Sequence, residues 1–150
     1  MTYRLHAFAT LFLALSVLPA AAASYDVQPL KDGDKFIGCM AVNQGDGLVL
    51  LAVENGLAIL LSSPEFKVVK GDAVTGSWSI DNSKSRPLSE RANGDGTISI
   101  DLELTKADFL LIGDGDELEV NFGKVSKTFS LAGSSKGLAG LSSCMSKNGK

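Results

Sequence analysis

Along the middle of the chain, apolar and polar residues exchange places at every step. In TISIDLEL, Ile98, Ile100, Leu102 and Leu104 fall on one side, and Thr97, Ser99, Asp101 and Glu103 on the other. ELEVNF repeats the scheme with Leu118, Val120 and Phe122, and KTFSL adds Phe129 and Leu131. VTGSWSI sets Val74, Trp78 and Ile80 against Thr75, Ser77 and Ser79. Period two with a single apolar side predicts half-buried antiparallel strands. Asn55-Gly56, between LVLLAVE and LAILLSS, is a strong hairpin signal. Gly45-Asp46-Gly47, Gly94-Asp95-Gly96 and Gly113-Asp114-Gly115 mark further loops. Strand-like runs this short and this frequent predict an all-β domain, a mainly antiparallel β-sandwich or partly open barrel.

Three segments depart from the alternation. TKADFLLIG, 105–113, opens on Thr105 with Asp108 three places on, an approximate capping box, and Gly113 closes it. A short internal helix is expected there, with Phe109 and Ile112 toward the core; a strand is the rival, because short apolar runs are ambiguous. Near the C-terminus, SLAGSSKGLAGLSSCM (130–145) predicts a second helix, capped by Ser134, with Leu138, Leu141 and Met145 on one side. Gly137 and Gly140 each weaken that helix by about 1 kcal/mol relative to Ala, so it needs support from outside. The third exception is the hairpin 48–61, where Leu48 to Val53 and Leu57 to Leu61 are apolar almost without interruption. Both its faces are expected to be covered, as in a central hairpin between the sheet and the terminal helix. The alternative is an exposed face that meets a partner or a second copy.

Residues 1–23, MTYRLHAFATLFLALSVLPAAAA, have the form of a cleaved signal peptide. Arg4 supplies the positive start, Ala7 to Leu18 the apolar stretch, and Ala21-Ala22-Ala23 the small-residue cleavage pattern. The apolar run is short for a membrane span, and none follows in 24–150. A single domain, 24–150, is expected in the periplasm or secreted, large enough to bury its own core. Without Arg4 it carries thirteen basic residues against seventeen acidic, with both signs scattered. That excludes the basic patch that nucleic-acid binding requires. His6, the only histidine, leaves with the signal. Histidine-based catalytic triads and dyads, and histidine metal sites, are therefore excluded.

Cys39 and Cys144 are the only cysteines, and export delivers them to an oxidising compartment. A disulfide between them is predicted; two buried or reactive free thiols are the alternative. Closing a loop of about 100 residues stabilises a domain by about 4–5 kcal/mol in the chain-entropy model. That bond would hold the weak terminal helix, and its glycines would let the helix backbone lie close against the sheet.

Candidate chemistry is sparse. The Asp/Gly clusters DGD (32–34), NGDG (93–96) and GDGDE (113–117) invite calcium, but none has the twelve-residue spacing with a terminal bidentate Glu. No metal site and no cofactor are expected. DNSKSRPLSERANGDG, 81–96, is the longest polar stretch and carries Lys84, Arg86 and Arg91, with Pro87 stiffening its middle. It reads as a solvated connection, or as a loop presenting Lys84, Arg86 or Arg91 to a partner. Asp101 and Glu103 share one strand face, which also describes an ordinary solvated surface. No motif joins a nucleophile, a base and an orienting group, so no enzyme is expected.

The order of three segments resembles the invasion-associated locus B family. SSPEFKVVKGDAVTGSWSID (62–81) matches its proline, strand, glycine, strand and aspartate series through Pro64, Val68, Gly71 and Asp81. ADFLLIGDGDELEVNF (107–122) is similar to its short helix, glycine turn and strand. SLAGSSKGLAGL (130–141) is similar to its closing helix through Leu131, Gly133, Leu138 and Leu141. The family usually has cysteines in a stretch between these pieces. That region here reads RPLSERANGDG with none, and residue 144 carries a cysteine instead. The resemblance implies a small exported β-rich protein linked to host invasion or the cell envelope, without known catalysis.

Together these features lead to the expectation of a non-catalytic exported protein that binds a protein or envelope component. Two alternatives stand beside it: an inhibitor of a protease or lysozyme presenting the 81–96 loop, and a structural envelope protein that self-associates as a homo-oligomer through 48–61.

Overall fold

The computed structural model describes residues 24–54, 56–102 and 105–149. The predicted signal segment 1–23, with Arg4 and His6, lies outside the described residues, as do Asn55, Glu103 and Leu104. In chain order the elements are β1 (Tyr25–Asp32), β2 (Lys35–Asn43), β3 (Leu48–Val53), β4 (Gly56–Ser62), β5 (Ala73–Ile80), β6 (Arg86–Arg91), β7 (Thr97–Leu102), α1 (Lys106–Gly113), β8 (Glu117–Phe122), β9 (Val125–Ser130) and α2 (Ser134–Asn148). They form two sheets, ordered β1-β2-β3-β4-β7 and β6-β5-β8-β9, with every neighbour antiparallel and no closed barrel.

The alternating residues become the core because directly paired positions share a face. In the first sheet, Leu48, Leu61 and Ile98 pair across three strands; so do Leu50, Ile59 and Ile100. All six are essentially fully buried. From the second sheet Val74, Trp78, Ile80, Leu118, Val120 and Phe129 face them. Phe66, in the crossing between the sheets, fills the gap edge-on to Phe122 and Phe129, with ring centroids 5.1 and 5.9 Å away.

On the inner face of the first sheet, the part not covered by the second sheet is covered by α2. Cys39 and Cys144 form the predicted disulfide, with Cα atoms 6.2 Å apart. It ties the strand β2 to the last turns of a helix that runs further than the sequence indicates, to Asn148. Leu138 and Leu141 are buried, and Met145 packs at the margin. A Cβ placed on Gly137 would meet the Tyr25 ring at 2.9 Å, and one on Gly140 would meet Val27 Cγ2 at 2.6 Å. The two helix-weakening glycines are the positions at which helix and sheet backbones approach. Ser134 does not cap the helix as expected. Gly133, at φ 81°, takes the cap position, and the Ser134 hydroxyl instead donates to the carbonyl of Ile112 at 2.6 Å. A buried hydroxyl gains more from the orphan carbonyl of a neighbouring helix end than from its own backbone.

The internal helix forms as its capping pattern predicts. Thr105 Oγ1 accepts from the Asp108 amide (3.1 Å) and donates to the Asp108 carboxylate (2.8 Å). Ile112 is buried and Phe109 half-buried. Two expectations are corrected. Six of the sixteen residues of the polar stretch 81–96 are not loop but the edge strand β6, hydrogen-bonded to β5. Pro87 is tolerated there because an edge strand has one unpaired side. The other correction concerns the hairpin β3–β4, which is central as expected but covered on one face only by the described elements.

Candidate functional site

The sequence singles out Lys84, Arg86 and Arg91 as a binding group, and the structure places them apart in role. Lys84 is exposed in the turn after β5. Arg91 donates to the carbonyl of Gly71 at 2.9 Å and fastens β6 to the preceding turn. Arg86 lies over the Trp78 ring, 5.0 Å from its centroid, and donates to the carboxylate of Asp108 at 2.8 Å. Burial pushes the Asp108 carboxyl up, but the Arg86 and Thr105 hydrogen bonds and the Arg86 charge outweigh it and hold it below the usual value. Arg86 therefore clamps β6 to α1, a role invisible to a reading that treated 81–96 as one loop. Its partner Asp108 entered that reading only as half of a cap.

The Asp/Gly clusters are likewise built into turns. The Asp81 carboxylate accepts from the amides of Asp116 (3.2 Å) and Glu117 (2.9 Å) and holds its own backbone at φ 50°. Asp46 accepts from the Ser130 amide, and Asp95 from that of Lys70. Among the described residues no three acidic or cysteine side chains gather around a metal-sized space. Nor is any helix there long and apolar enough to cross a membrane.

One surface feature left is the outer face of the five-stranded sheet. The register gives two full rows across it: Asp26, Val42, Val49, Leu60 and Ser99, then Gln28, Met40, Leu51, Ala58 and Asp101. Six of these ten positions, all on β2, β3 and β4, are apolar, and none is a cation. The six are half-buried, with no described element laid over them. Leu30 and Val53, the latter 38% exposed, continue the patch toward one end. Beyond that end Ile37, 45% exposed, is thrown outward by a β-bulge where the register shifts between Leu30 and Lys31. With Phe36, Glu54 and Met145 it lines a cleft of about 580 Å³ beside the end of α2.

The sequence pattern flagged Val49, Leu51, Ala58 and Leu60 through the unbroken apolar hairpin. It missed Met40 and Val42, although the apolar run Cys39-Met40-Ala41-Val42 carries the same signal. A face of this kind binds by burying apolar area, each large side chain contributing about 1.5–3 kcal/mol when fully covered. The chain matches no family model, no curated protein and no solved structure.

Proposed function

We propose that this chain is an exported, non-catalytic binding protein of the periplasm or cell envelope, and that the outer face of the five-stranded sheet is its contact surface. The observation that carries the proposal is the contiguous apolar patch of Met40, Val42, Val49, Leu51, Ala58 and Leu60, which no described element covers. Soluble domains rarely leave such a patch open without a use for it. Export is supported by the signal-like start and by the disulfide, whose chemistry belongs to oxidising compartments. The likeness to the invasion-associated locus B family supports an envelope role of the same kind.

The test is comparative. The oxidised protein and a Leu51→Asp variant are immobilised in parallel and exposed to the native envelope fraction. A component retained by the wild type and lost with the variant supports the proposal. Identical retention on both surfaces, or turnover of any substrate in a broad hydrolase panel, refutes it.

A further inference from the structure

The outer sheet face carries information about its partner as well as its existence. The apolar part is three strands wide, β2 to β4, which at about 4.8 Å per strand gap is about 10 Å across. That is the width of one α-helix with its side chains, about 10–12 Å. The strands β3 and β4 are about 20 Å long, the length of about 13–14 helical residues. On either side of this patch stands an exposed acid, Asp26 on β1 and Asp101 on β7, four strand gaps or about 19 Å apart. The two sit in adjacent rows, so the line joining them runs obliquely across the patch.

The β7 rim carries a second acid beside Asp101. The Glu90 carboxyl on the neighbouring β6 is pushed up by burial and by the charge of Asp101. Arg91 lines the same groove, its guanidinium turned to the Gly71 carbonyl at 2.9 Å, and its charge offsets one of the two acids.

We infer that this face seats one basic amphipathic helix of a partner protein, its apolar stripe on the Met40–Leu60 patch and its lysines or arginines reaching Asp26 and Asp101. The inference deepens the proposed function and rests on it. A second copy of the chain fits less well. Stacking two such sheets with their strands aligned, about an in-plane two-fold axis parallel or perpendicular to the strands, sets an acidic rim over an acidic rim. An anionic lipid surface is repelled by the same rims.

The probes are two fluorescein-labelled helical peptides of about 18 residues with one leucine stripe, flanked by lysines in one and by glutamates in the other. Binding is read by anisotropy at about 0.15 M salt, where exposed charges beyond about 8 Å are screened. The lysine peptide is expected to bind at least tenfold more tightly than the glutamate peptide. Leu51→Asp is expected to weaken it at least tenfold, although the added acid strengthens any non-specific attraction. The pair Asp26→Asn/Asp101→Asn is expected to weaken it several-fold. Leu60→Asp serves as a second apolar variant should Leu51→Asp not fold, and a retained melting temperature qualifies either.

Lysine-peptide affinity unchanged or improved by both apolar variants overturns the inference, as does equal binding of the two peptides. A wild-type dimer in sedimentation that Leu51→Asp dissolves assigns the face to a second copy instead. Flotation with phosphatidylglycerol vesicles, lost in the same variant, assigns it to lipid. If neither peptide binds but an envelope component still depends on Leu51, the helix inference falls and the binding proposal stands.

Discussion

Replacing Gly140 by alanine sets two known effects against each other, and the structure fixes which wins. In a helix interior, Gly→Ala stabilises by about 1 kcal/mol, because alanine has less backbone freedom to lose. At this position the new methyl would stand 2.6 Å from Val27 Cγ2 and 3.4 Å from Val27 Cβ. Val27 is β-branched and stiff at χ1, and it lies on β1, paired with Ala41 of β2. The helix cannot back away freely either, since the Cys39–Cys144 bond anchors it one turn later. Overpacking of this kind costs about 1–3 kcal/mol. The net expectation is a loss of about 1 kcal/mol, or roughly 3–5 °C in melting temperature for a domain of this size. Urea unfolding of the oxidised protein, followed by far-UV circular dichroism, measures it. Ala139→Gly, on the exposed side of the same helix, calibrates the propensity effect and should lose about 1 kcal/mol. In a Val27→Ala background the obstacle is gone, and Gly140→Ala should become neutral or stabilising. A Gly140→Ala single variant that gains the full 1 kcal/mol over wild type would refute the close-approach account of α2.

Three further outcomes are expected. Reducing the Cys39–Cys144 bond, which spans 105 positions, should cost about 4–5 kcal/mol and raise the urea m-value, since the reduced unfolded chain expands; an unchanged midpoint after complete reduction contradicts this. Asp108→Asn should cost about 1–3 kcal/mol at pH 7 by leaving Arg86 without its carboxylate. Because the folded-state pKa of Asp108 lies below its unfolded value of about 3.9, that contribution is full above about pH 5 and lost as pH falls through the folded value; a wild-type-minus-variant difference that grows on acidification is the contrary result. Tyr25→Phe should be neutral or stabilising by up to about 1 kcal/mol, because the buried Tyr25 hydroxyl, close to the Asn43 side chain, makes no well-formed hydrogen bond among the described residues; a clear loss in thermal melting contradicts this.

Much of this molecule was legible without coordinates, and the reason is locality. Period-two alternation in 74–80, 97–102 and 118–122 reports a side-chain direction that strand geometry imposes residue by residue, so those strands and their apolar faces follow directly, while the burial of Ser99 on the polar side of 97–102 does not. The Thr105–Asp108 cap acts within one helical turn and could be read in the same way. The disulfide, though long-range, was legible because only two cysteines exist to pair. Tertiary structure alone decided what depends on which surfaces meet. An apolar hairpin is compatible with two covered faces or with one. Only the seating of α2 and the second sheet on the same side of β3–β4 leaves the Val49–Leu51–Leu60 face open. Likewise Arg86 reads in sequence as a free cation in a polar loop. Its commitment to Trp78 and Asp108 requires β6 and α1 to be brought together across 22 positions of chain, and no local pattern encodes that distance.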